Sequence, residues 1–479
     1  MRVFCRICIL VISIALVAVS CKERQSGVFP PGDGALRCSQ DTLRFDTLFS
    51  TVSSTTAWMR IYNASDKDLT IDSVALASAG KSGYRVSVDA LSLSESKHLN
   101  LPAGDSLFVF VELTPPRQQS DVPQSVVDEL SFYYGESSLS VMLEACAWDA
   151  IMWKGKHITS DTVLTAVSPY VIYDSLVVAE GATLRIEPGV KLHFHDGATL
   201  MVYGSVQAEG SAEQPIWLRG DRLDWAFDDF PYEWYPGQWT GVYLGTDSYD
   251  NVFKHTQIRG AYYGIISDSS AVDKLKLSLS DSYIFNMAYT NLYAISTKME
   301  VSNTVFANSG SYSLAIIGGD VLFTHCTIAN YQVLASREEN TPSLVLVNFT
   351  QGEDKSIQPY PLVQAAFRNC IAYGSREEEI GFGLLEDYAH QVSFESCLIR
   401  SKSPLPEDVA TNIIYNEDPH FKAVNKNYHY DFRIDSLSPA IDKADARYSA
   451  DFPLDAAGVS RLSDEAPDLG AFEYVKGDF

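Results

Sequence analysis

An internal repeat in the second half of the chain constrains the fold more than any other feature. Small residues that each precede an apolar segment recur at Thr256, Ser282, Thr304, Cys326, Cys370 and Cys397, with spacings of 26, 22, 22, 44 and 27 residues. Because 44 is twice 22, the spacing indicates that one coil between Cys326 and Cys370 has diverged. A repeat of short apolar segments without intervening helices predicts a coiled sheet in which each coil stacks on the previous one.

A second position supports the repeat. Asn or Gly follows four residues after each of the first five repeat positions, at Gly260, Asn286, Asn308, Asn330 and Gly374. Both residue types tolerate the left-handed backbone of a sharp corner, so we expect corners here, with stacked Asn side chains bonding from coil to coil.

The three cysteines of the repeat are expected to point inward as one stack. We interpret Cys326, Cys370 and Cys397 as structural thiols, because stacked parallel side chains do not converge on a metal ion. A bridge between Cys370 and Cys397 is compatible with the distance between neighbouring coils but disfavoured by orientation.

The stretch before the repeat consists of short apolar strands punctuated by glycine. Residues 177–190 read VVAEGATLRIEPGV, residues 198–204 read ATLMVYG and residues 214–218 read QPIWL. These segments resemble the opening coils of right-handed parallel β-helix proteins of the pectate-lyase-like class. The resemblance implies a right-handed parallel β-helix, which we expect over residues 155–425.

Alternating strands with turn signals dominate the region before residue 148. Seven strands are predicted, at residues 43–49, 57–63, 69–76, 84–89, 106–113, 129–134 and 138–145. This density predicts a β-sandwich over residues 41–148. The segments TLRFDT at 42–47, YNAS at 62–65 and FVFV at 108–111 resemble the immunoglobulin-like domains found beside bacterial surface modules, which implies a spacer or docking role. A disulfide between Cys38 and Cys146 is left open.

The last stretch has a separate resemblance. The segments LSPAID at 437–442, PLD at 453–455 and DLGAFE at 468–473, with Arg461, resemble the C-terminal segment of secreted bacterial β-helix proteins. The resemblance implies that residues 426–479 cap the open end of the core. The carboxylates at Asp442, Asp455, Asp468 and Glu473 suit calcium. Pairing of an aspartate with Arg461 and turn formation explain them better, so no cofactor is assigned and calcium stays the alternative.

The N-terminus carries a processing signal. Arg2 and Arg6 precede an apolar run at residues 7–17, and small residues at 18–20 lead to Cys21. The run is too short to span a membrane, so residues 1–20 are predicted to be a signal peptide. The sequence AVSC at 18–21 resembles the lipobox of bacterial lipoproteins, which implies fatty acylation of Cys21 with chains such as palmitate and attachment to the membrane through this lipid.

Residues after the lipobox bear on location. Residues 21–40, which contain PPG at 30–32, are predicted to be a flexible tether. Lys22 and Glu23 occupy the positions where Asp is associated with inner-membrane retention, which favours the outer membrane. The basic-acidic pair resembles surface-export signals of some gut-type bacteria. We therefore expect a lipid-anchored outer-membrane protein at the cell surface, although the leaflet that it faces is left open.

Charge restricts the partners. The chain holds 61 acidic residues against 36 basic ones, a net charge of −25. So acidic a chain lacks the basic footprint that nucleic-acid binding needs, and polyanionic sugars are disfavoured too. The partners expected are therefore the membrane, through the lipid anchor, and a polysaccharide or an envelope protein.

Catalytic motifs are sparse. Parallel β-helices host lyases, hydrolases, esterases and noncatalytic adhesins, so the fold does not settle function. Of the residue series typical of polygalacturonases the chain has only the pair Asp228 and Asp229, and we find no zinc-protease, serine-hydrolase or phosphate-loop motif. We therefore predict no catalytic residue and no metal ligand, and whether the chain is an enzyme stays open, with binding favoured.

One segment has an unusual composition. Residues 224–239 place seven aromatic and four acidic side chains in a predicted loop. Aromatic faces stack on sugar rings and carboxylates accept hydroxyl hydrogen bonds, so the loop suits a glycan; alternatively, it shields the early coils. The candidate ligand residues are Trp225, Asp228, Asp229, Tyr232, Trp234 and Tyr235. A β-helix polysaccharide lyase or glycoside hydrolase is one alternative function, and a structural adhesin or scaffold is the other.

A short motif recurs along the chain. Asp followed by Ser or Thr and an aliphatic residue resembles the O-glycosylation sequence used on exported proteins by some Gram-negative bacteria. The candidate hydroxyls are those of Thr42, Thr47, Ser73, Ser106, Thr162, Ser175 and Ser436. The same residue pairs also form turns before strands, which is the structural alternative.

Overall fold

A computed structural model of the chain describes residues 34–227, 230–426, 428–462 and 465–477. Strands make up 52% of the chain and helix only 2%, which confirms the predicted all-β class. The chain divides into two compact units. The first holds the described residues up to Phe45 together with Val52–Pro116 and Ser125–Ala145, and the second holds Asp46–Thr51, Arg117–Gln124 and Cys146–Phe479.

The first unit is a β-sandwich built from two five-stranded sheets. Its strands are β1 (Leu36–Cys38), β2 (Thr42–Phe49), β3 (Ala57–Asn63), β4 (Leu69–Leu76), β5 (Tyr84–Val88), β6 (Leu91–Ser92), β7 (Lys97–Leu101), β8 (Ser106–Leu113), β9 (Gln124–Tyr134) and β10 (Ser137–Trp148). The sheet orders are β1-β3-β8-β5-β6 and β2-β10-β9-β4-β7. Alternation decides which side chains are buried: Met59 and Ile61 on β3 are fully buried, whereas Trp58 is exposed.

Two features near the start of the sandwich differ from expectation. Leu36–Cys38, which fell inside the predicted tether, is a strand that pairs antiparallel with β3. Cys38 and Cys146 are free thiols, so the bridge left open by the sequence is not formed. The Cys38 thiol lies 3.6 Å from the Met59 sulfur, and burial raises the pKa of this thiol. Cys38 is therefore a packed core residue.

The second unit is the predicted parallel β-helix, formed by one sheet of 26 strands. Its strands are β11 (Ile151–Ile158), β12 (Thr162–Leu164), β13 (Tyr170–Val178), β14 (Thr183–Ile186), β15 (Lys191–Phe194), β16 (Thr199–Val202), β17 (Ser205–Glu209), β18 (Ile216–Gly220), β21 (Gly241–Leu244), β22 (Asn251–Lys254), β23 (Thr256–Arg259), β24 (Tyr263–Ser267), β25 (Leu277–Ser280), β26 (Tyr283–Met287), β27 (Thr290–Ile295), β28 (Lys298–Ser302), β29 (Val305–Ser309), β30 (Leu314–Ile317), β31 (Gly319–Thr324), β32 (Thr327–Asn330), β33 (Leu344–Val347), β36 (Leu362–Arg368), β37 (Ile371–Gly374), β38 (Ile380–Gly383), β39 (His390–Ile399) and β40 (Ala410–Tyr415). The short strand pairs β19 (Trp225–Phe227) with β20 (Phe230–Pro231), β34 (Phe349–Gln351) with β35 (Ile357–Pro359), and β41 (Phe421–Lys426) with β42 (His429–Ile434) lie outside this sheet.

Each coil contributes three strands, and most strands pair in parallel with the strand three places later in the chain. One such line runs β15, β18, β23, β26, β29, β32 and β37, and the other two faces follow the same pattern. Inward residues in equivalent positions form stacks, such as the parallel rings of Phe323, Phe367 and Phe394 at 4.9 and 4.8 Å. The continuous apolar interior that results is the main source of stability for this unit.

The repeat positions form a corner with a shared hydrogen-bond pattern. In all six, the hydroxyl or thiol donates to the carbonyl two residues earlier, at 2.6–3.5 Å. The main-chain N–H of Cys326 donates to the Cys370 sulfur, and that of Cys370 donates to the Cys397 sulfur, both at 3.4 Å. All three cysteines are free and buried, and burial raises the pKa of the Cys326 and Cys397 thiols. The stack is therefore structural, as expected.

The inferred diverged coil between Cys326 and Cys370 is wrong. Strand β32 pairs directly with β37, with Thr327 opposite Ile371, so the two cysteines lie in neighbouring coils. The extra length consists of residues 331–343 and the segment 348–361, which carries the β34–β35 hairpin. A stacked coil constrains only its strands, so insertions between strands change the spacing without adding a coil.

The predicted corner residues are partly wrong. Gly260, Asn286 and Asn308 have positive φ, but Asn330 and Gly374 do not. Asn330 instead ends strand β32, and its side-chain amide donates to the Ser309 carbonyl at 3.0 Å. A left-handed residue precedes every repeat position instead: His255, Asp281, Asn303, His325, Asn369 and Ser396 have φ between 44° and 54°. The sharp turn is therefore placed directly before the hydroxyl or thiol.

The C-terminal segment begins with the β41–β42 hairpin and contains one short helix, α1 (Ala446–Ser449). Its apolar residues pack on outward-facing side chains of neighbouring coils, among them Val305, Ala329, Ile371 and Leu398. The segment therefore covers one lateral face of the β-helix. It does not close the end of the core, contrary to the prediction from the sequence. A lateral cover buries apolar residues on the outer surface of several coils at once.

The carboxylates of the C-terminal segment accept hydrogen bonds from its own main chain. Asp455 accepts from the N–H groups of Val459 and Glu473 at 2.7 and 2.8 Å, and Asp468 accepts from those of Asp442 and Tyr474 at 2.7 and 2.6 Å. The bond from Val459 to Asp455 closes an expected turn, whereas the bonds from Glu473 and Asp442 join parts of the segment 18 and 26 residues apart.

The ion pair of Arg461 has a different partner from the aspartate that the sequence indicated. Its Nη1 lies 2.5 Å from Glu473 Oε1, and both side chains are buried. Its Nη2 donates to Asn303 on the β-helix at 2.9 Å. Arg461 therefore fixes the segment to the coils.

Within the described residues, no helix is long and apolar enough to cross a membrane. The predicted signal peptide and Cys21 lie outside these residues.

Candidate functional site

The aromatic segment at 224–239 is more ordered than the predicted loop. It contains the β19–β20 hairpin and a 3₁₀ turn at Tyr232–Trp234. Two of its rings are core residues: Phe230 is buried, and Trp239 stacks on Phe194 inside the β-helix at 4.3 Å. These two rings are buried, as the shielding alternative predicts, whereas the other described rings of the segment are partly or fully exposed.

An acidic residue of the 3₁₀ turn anchors the segment to the coils. Glu233 forms ion pairs with Arg219 and, at 2.8 Å, with Arg259. The Arg259 guanidinium also lies over the Trp217 ring, 4.4 Å from its centroid, and burial lowers the pKa of Arg259 to about 10. These contacts hold the segment on the outer surface of strands β18 and β23.

A cleft of about 410 Å³ opens between this segment and the neighbouring corner of the β-helix. It is lined by His195, Asp196, Asp221, Arg222, Tyr232, Tyr235, Pro236, Gly237 and Gln238. The Gln238 amide donates to the Tyr232 and Tyr235 carbonyls at 3.0 and 2.8 Å, which fixes the backbone that carries both rings. The cleft thus combines two aromatic rings with polar groups of both charges.

Three residues form a column in equivalent positions of successive coils, and two of them, His195 and Asp221, line the cleft. Ile172 lies opposite Phe194, and Phe194 lies opposite Gly220, so the residues that follow them are aligned: Tyr173, His195 and Asp221. The ring centroids of Tyr173 and His195 are 4.6 Å apart, and His195 Nδ1 lies 2.7 Å from Asp221 Oδ2.

The environment of this column shifts its acid-base properties. Burial raises the pKa of Asp221, opposed by its hydrogen bond to His195. Burial, with a further contribution from the Asp221 charge, raises the pKa of Tyr173. In the neutral tautomer whose Nδ1 donates to Asp221, the imidazole Nε2 of the half-exposed His195 carries a free electron pair.

The remaining wall carries a stacked cation. The Arg222 guanidinium lies 3.8 Å from the centroid of the Tyr232 ring, and its Nε donates to Asp224 at 2.6 Å. This hydrogen bond raises the pKa of Arg222. Arg222 covers one face of Tyr232, and the Tyr235 ring contacts those of Phe230 and Tyr232 at 5.0 and 5.3 Å between centroids.

The structure separates the predicted ligand residues. Tyr232 and Tyr235 line the cleft. Trp234 packs instead against Phe230 and against His429 of the C-terminal segment, at 5.7 and 4.7 Å between ring centroids. Trp225 is 51% exposed but does not line the cleft. Asp228 and Asp229 lie outside the described residues.

Sequence reasoning missed His195, Asp196, Asp221 and Gln238. None belongs to a recognisable motif, because His195 and Asp221 follow strands β15 and β18 and meet only when those strands stack. A signal was present: KLHFHD at 191–196 and WLRGD at 217–221 each place polar residues directly after a strand. Alignment of the two coils would have brought His195 next to Asp221.

Among the described residues, no group of three or more His, Cys, Asp or Glu side chains is placed to hold a metal ion.

The candidate glycosylation residues differ in accessibility. Ser436 is exposed, and the other six are partly buried. Thr42, Ser106 and Thr162 are the first residues of their strands, as the turn alternative predicts. Thr47, Ser73 and Ser175 lie inside strands. Because a glycan must project into solvent, Ser436 is the most accessible candidate.

Comparisons with known proteins leave the family open. No family model matches the chain, and no curated protein matches it. Among solved structures, a family 123 glycoside hydrolase from Clostridium perfringens is 8% identical with a TM-score of 0.19, over 24% of this chain and 26% of that chain. The VesB protease of Vibrio cholerae is 17% identical with a TM-score of 0.18, over 24% of this chain and 31% of that chain. A protein of unknown function from Porphyromonas gingivalis W83 is 17% identical with a TM-score of 0.18, over 26% of this chain and 60% of that chain. Similarities of this size assign neither a fold nor an activity.

Proposed function

We propose that this chain is an outer-membrane lipoprotein, anchored by acylated Cys21 and displayed at the cell surface, whose β-helix binds a glycan. The observation that carries the binding proposal is the cleft, in which Tyr232 and Tyr235 stand beside Asp196 and Asp221. Aromatic rings offer an apolar face to sugar C–H groups, and carboxylates accept hydrogen bonds from sugar hydroxyls.

Charge narrows the ligand class. Two carboxylates line the cleft, and the only Arg there is already paired with Asp224. The chain as a whole is strongly acidic. A polyanionic glycan would be repelled, so neutral and amino-sugar glycans are the expected ligands.

A polysaccharide panel tests the proposal. The full chain should retard or precipitate with at least one neutral or amino-sugar polysaccharide, and Tyr235→Ala should weaken this binding about tenfold with little change in thermal unfolding. Tyr133→Ala is the matched control, because Tyr133 is an exposed tyrosine of the sandwich. Equal binding by Tyr235→Ala and the wild type would remove the cleft as the site.

Catalysis is the second candidate function, and the His195–Asp221 pair favours it. A histidine oriented by a partly buried carboxylate can accept a proton through its other ring nitrogen, as a general base does. Incubation with the same panel, scored for new reducing ends or unsaturated products, tests it. Product formed by the wild type but not by His195→Ala would establish catalysis. Binding without product would leave the binding function. The absence of both binding and product would favour a structural adhesin or scaffold.

The lipid anchor has its own test. Cys21→Ala should release the protein from membranes or leave an unprocessed precursor. A variant that is processed normally and stays with the membrane would contradict the anchor.

We also propose that at least one of the seven candidate hydroxyls carries a glycan in the native host. The exposure of Ser436 supports it as the first residue to examine. The intact mass of protein purified from that host should exceed the mass of the acylated polypeptide; an equal mass would rule the modification out.

A further inference from the structure

A tyrosine cluster continues from the cleft along the coils. Gly237 lines the cleft, and a methyl group built on it would lie 3.4 Å from the Tyr262 ring. The Tyr289 ring is stacked with those of Tyr262 and Tyr263, at 5.8 and 5.4 Å between centroids and with interplanar angles of 26° and 24°. The three rings therefore form a tyrosine ladder that begins at the edge of the cleft.

The ladder follows the axis of the β-helix. Tyr262 donates its main-chain N–H to Trp239, Tyr289 donates to Tyr262, and Ser311 donates to Tyr289, so these residues occupy one corner in successive coils. Neighbouring coils are about 4.8 Å apart. The ladder spans two coils, and the aromatic series ends at Ser311.

Burial within the fold does not account for the ladder. Tyr262 is 39% exposed and Tyr289 is 50% exposed. Gly237 is close to both Ala288 and Tyr262, since a methyl group built on it would lie 3.4 Å from each side chain. Exposed, mutually stacked tyrosines held in a row on a rigid sheet are arranged as a contact surface.

We propose that Tyr262, Tyr263 and Tyr289 bind the same glycan as the cleft, so that the ligand is a linear oligosaccharide lying along the coil axis. This inference rests on the proposed glycan-binding function and extends it from one sugar to a chain. A linear polymer fits because the contacts recur in one direction at the coil spacing. Binding strength therefore rises with oligosaccharide length until the ladder is covered, and then stays constant.

A length series tests the ladder. Neutral cello-, xylo-, manno- and chito-oligosaccharides, each as disaccharide, tetrasaccharide and hexasaccharide, are titrated against the full chain by calorimetry. For a series that binds, we expect the wild-type affinity to rise about tenfold or more from disaccharide to hexasaccharide. In the double variant Tyr262→Leu/Tyr289→Leu the hexasaccharide affinity should fall to that of the disaccharide, while the disaccharide affinity changes less than twofold.

Controls separate this inference from the proposal that it rests on. Leucine keeps apolar volume but lacks a ring face, and an unchanged thermal unfolding midpoint verifies that the double variant folds. Tyr203→Leu is the matched control, because Tyr203 is an exposed tyrosine that makes no ring contact with the ladder. If the double variant binds the hexasaccharide like the wild type while Tyr235→Ala does not, the ladder is not a binding surface and the cleft stands. If the wild type binds no oligosaccharide of any length, both proposals fall.

Discussion

The aromatic segment and the C-terminal segment both lie on the outside of the β-helix, and both are fixed to it by buried charges. They differ in how closely they pack on the coils. Glu233 of the aromatic segment forms ion pairs with Arg219 and Arg259 of the coils, and a cleft lies beside these pairs. In the C-terminal segment, Arg461 pairs with Glu473 and reaches Asn303, and the carboxylates are used by nearby N–H groups. The comparison teaches that similar buried anchors can either leave an open cleft beside the segment or pack the segment directly on the coils.

The largest effect is expected from breaking the C-terminal anchor. Arg461→Met removes one partner of a fully buried ion pair and leaves Glu473 without its cation, so the free energy of unfolding should fall by about 4 kcal/mol. Urea denaturation measures it. Arg447→Met is the control, because Arg447 pairs with Asp445 at the surface of the same segment and should change stability by less than about 1 kcal/mol. Equal losses in both variants would show that the Arg461 anchor contributes no more than a surface pair.

Removing the anchor of the aromatic segment should reduce stability less than removing Arg461, but should weaken glycan binding. In Glu233→Gln, the partly buried guanidinium groups of Arg219 and Arg259 lose their counter-charge, which should destabilise the chain by about 2 kcal/mol. Glycan binding should also weaken, because Glu233 fixes the turn that carries Tyr232. Glu112→Gln, which breaks an exposed pair with Arg85, should leave both properties nearly unchanged. Normal glycan affinity in Glu233→Gln would show that cleft and anchor are independent.

A titration tests the burial of a histidine beneath the C-terminal segment. His325 is buried against the C-terminal segment, with Nε2 2.8 Å from the Ser449 hydroxyl, and burial lowers the pKa of this imidazole well below 6.5. Below pH 6.5 the imidazole of His325 binds a proton in the unfolded chain but not in the folded chain. The free energy of unfolding therefore decreases as the pH falls. The contribution of His325 to this slope approaches about 1.4 kcal/mol per pH unit.

His325→Asn supplies the control for that titration. Asn occupies the equivalent left-handed position in two neighbouring coils, at Asn303 and Asn369, so the backbone should accept it. The difference in unfolding free energy between wild type and variant, followed from pH 7 to pH 5, should change with pH. A constant difference would mean that His325 does not titrate with unfolding.

The smallest effect is expected for Cys370→Ser, which tests the repeat itself. The corner carries hydroxyls at Thr256, Ser282 and Thr304 and thiols in the three coils that follow, all with the same bond to the carbonyl two residues earlier. Cys370→Ser keeps that donor and an acceptor for the Cys326 N–H, so the cost should stay below about 1 kcal/mol. Cys370→Ala removes both and should cost about 1–3 kcal/mol by urea denaturation. Equal costs would contradict a hydrogen-bonded stack.

The sequence by itself determined the all-β class, the β-helix and the structural role of the three cysteines. These follow from local patterns: alternation sets which face of a strand is buried, and a repeated coil places the same residue types in the same stack. It also pointed to Tyr232 and Tyr235, which line the cleft, because a dense run of aromatic residues is visible without knowing its partners.

Only the tertiary structure decided which residues meet. The single coil between Cys326 and Cys370 could not be distinguished from two coils, because spacing in sequence does not separate an insertion from a repeat. The same limit hid the cleft: His195 and Asp221 are 26 residues apart and meet only when strands β15 and β18 stack. Parallel pairing joins residues that are remote along the chain, and the register that brings them together is set by the packed interior rather than by any local signal.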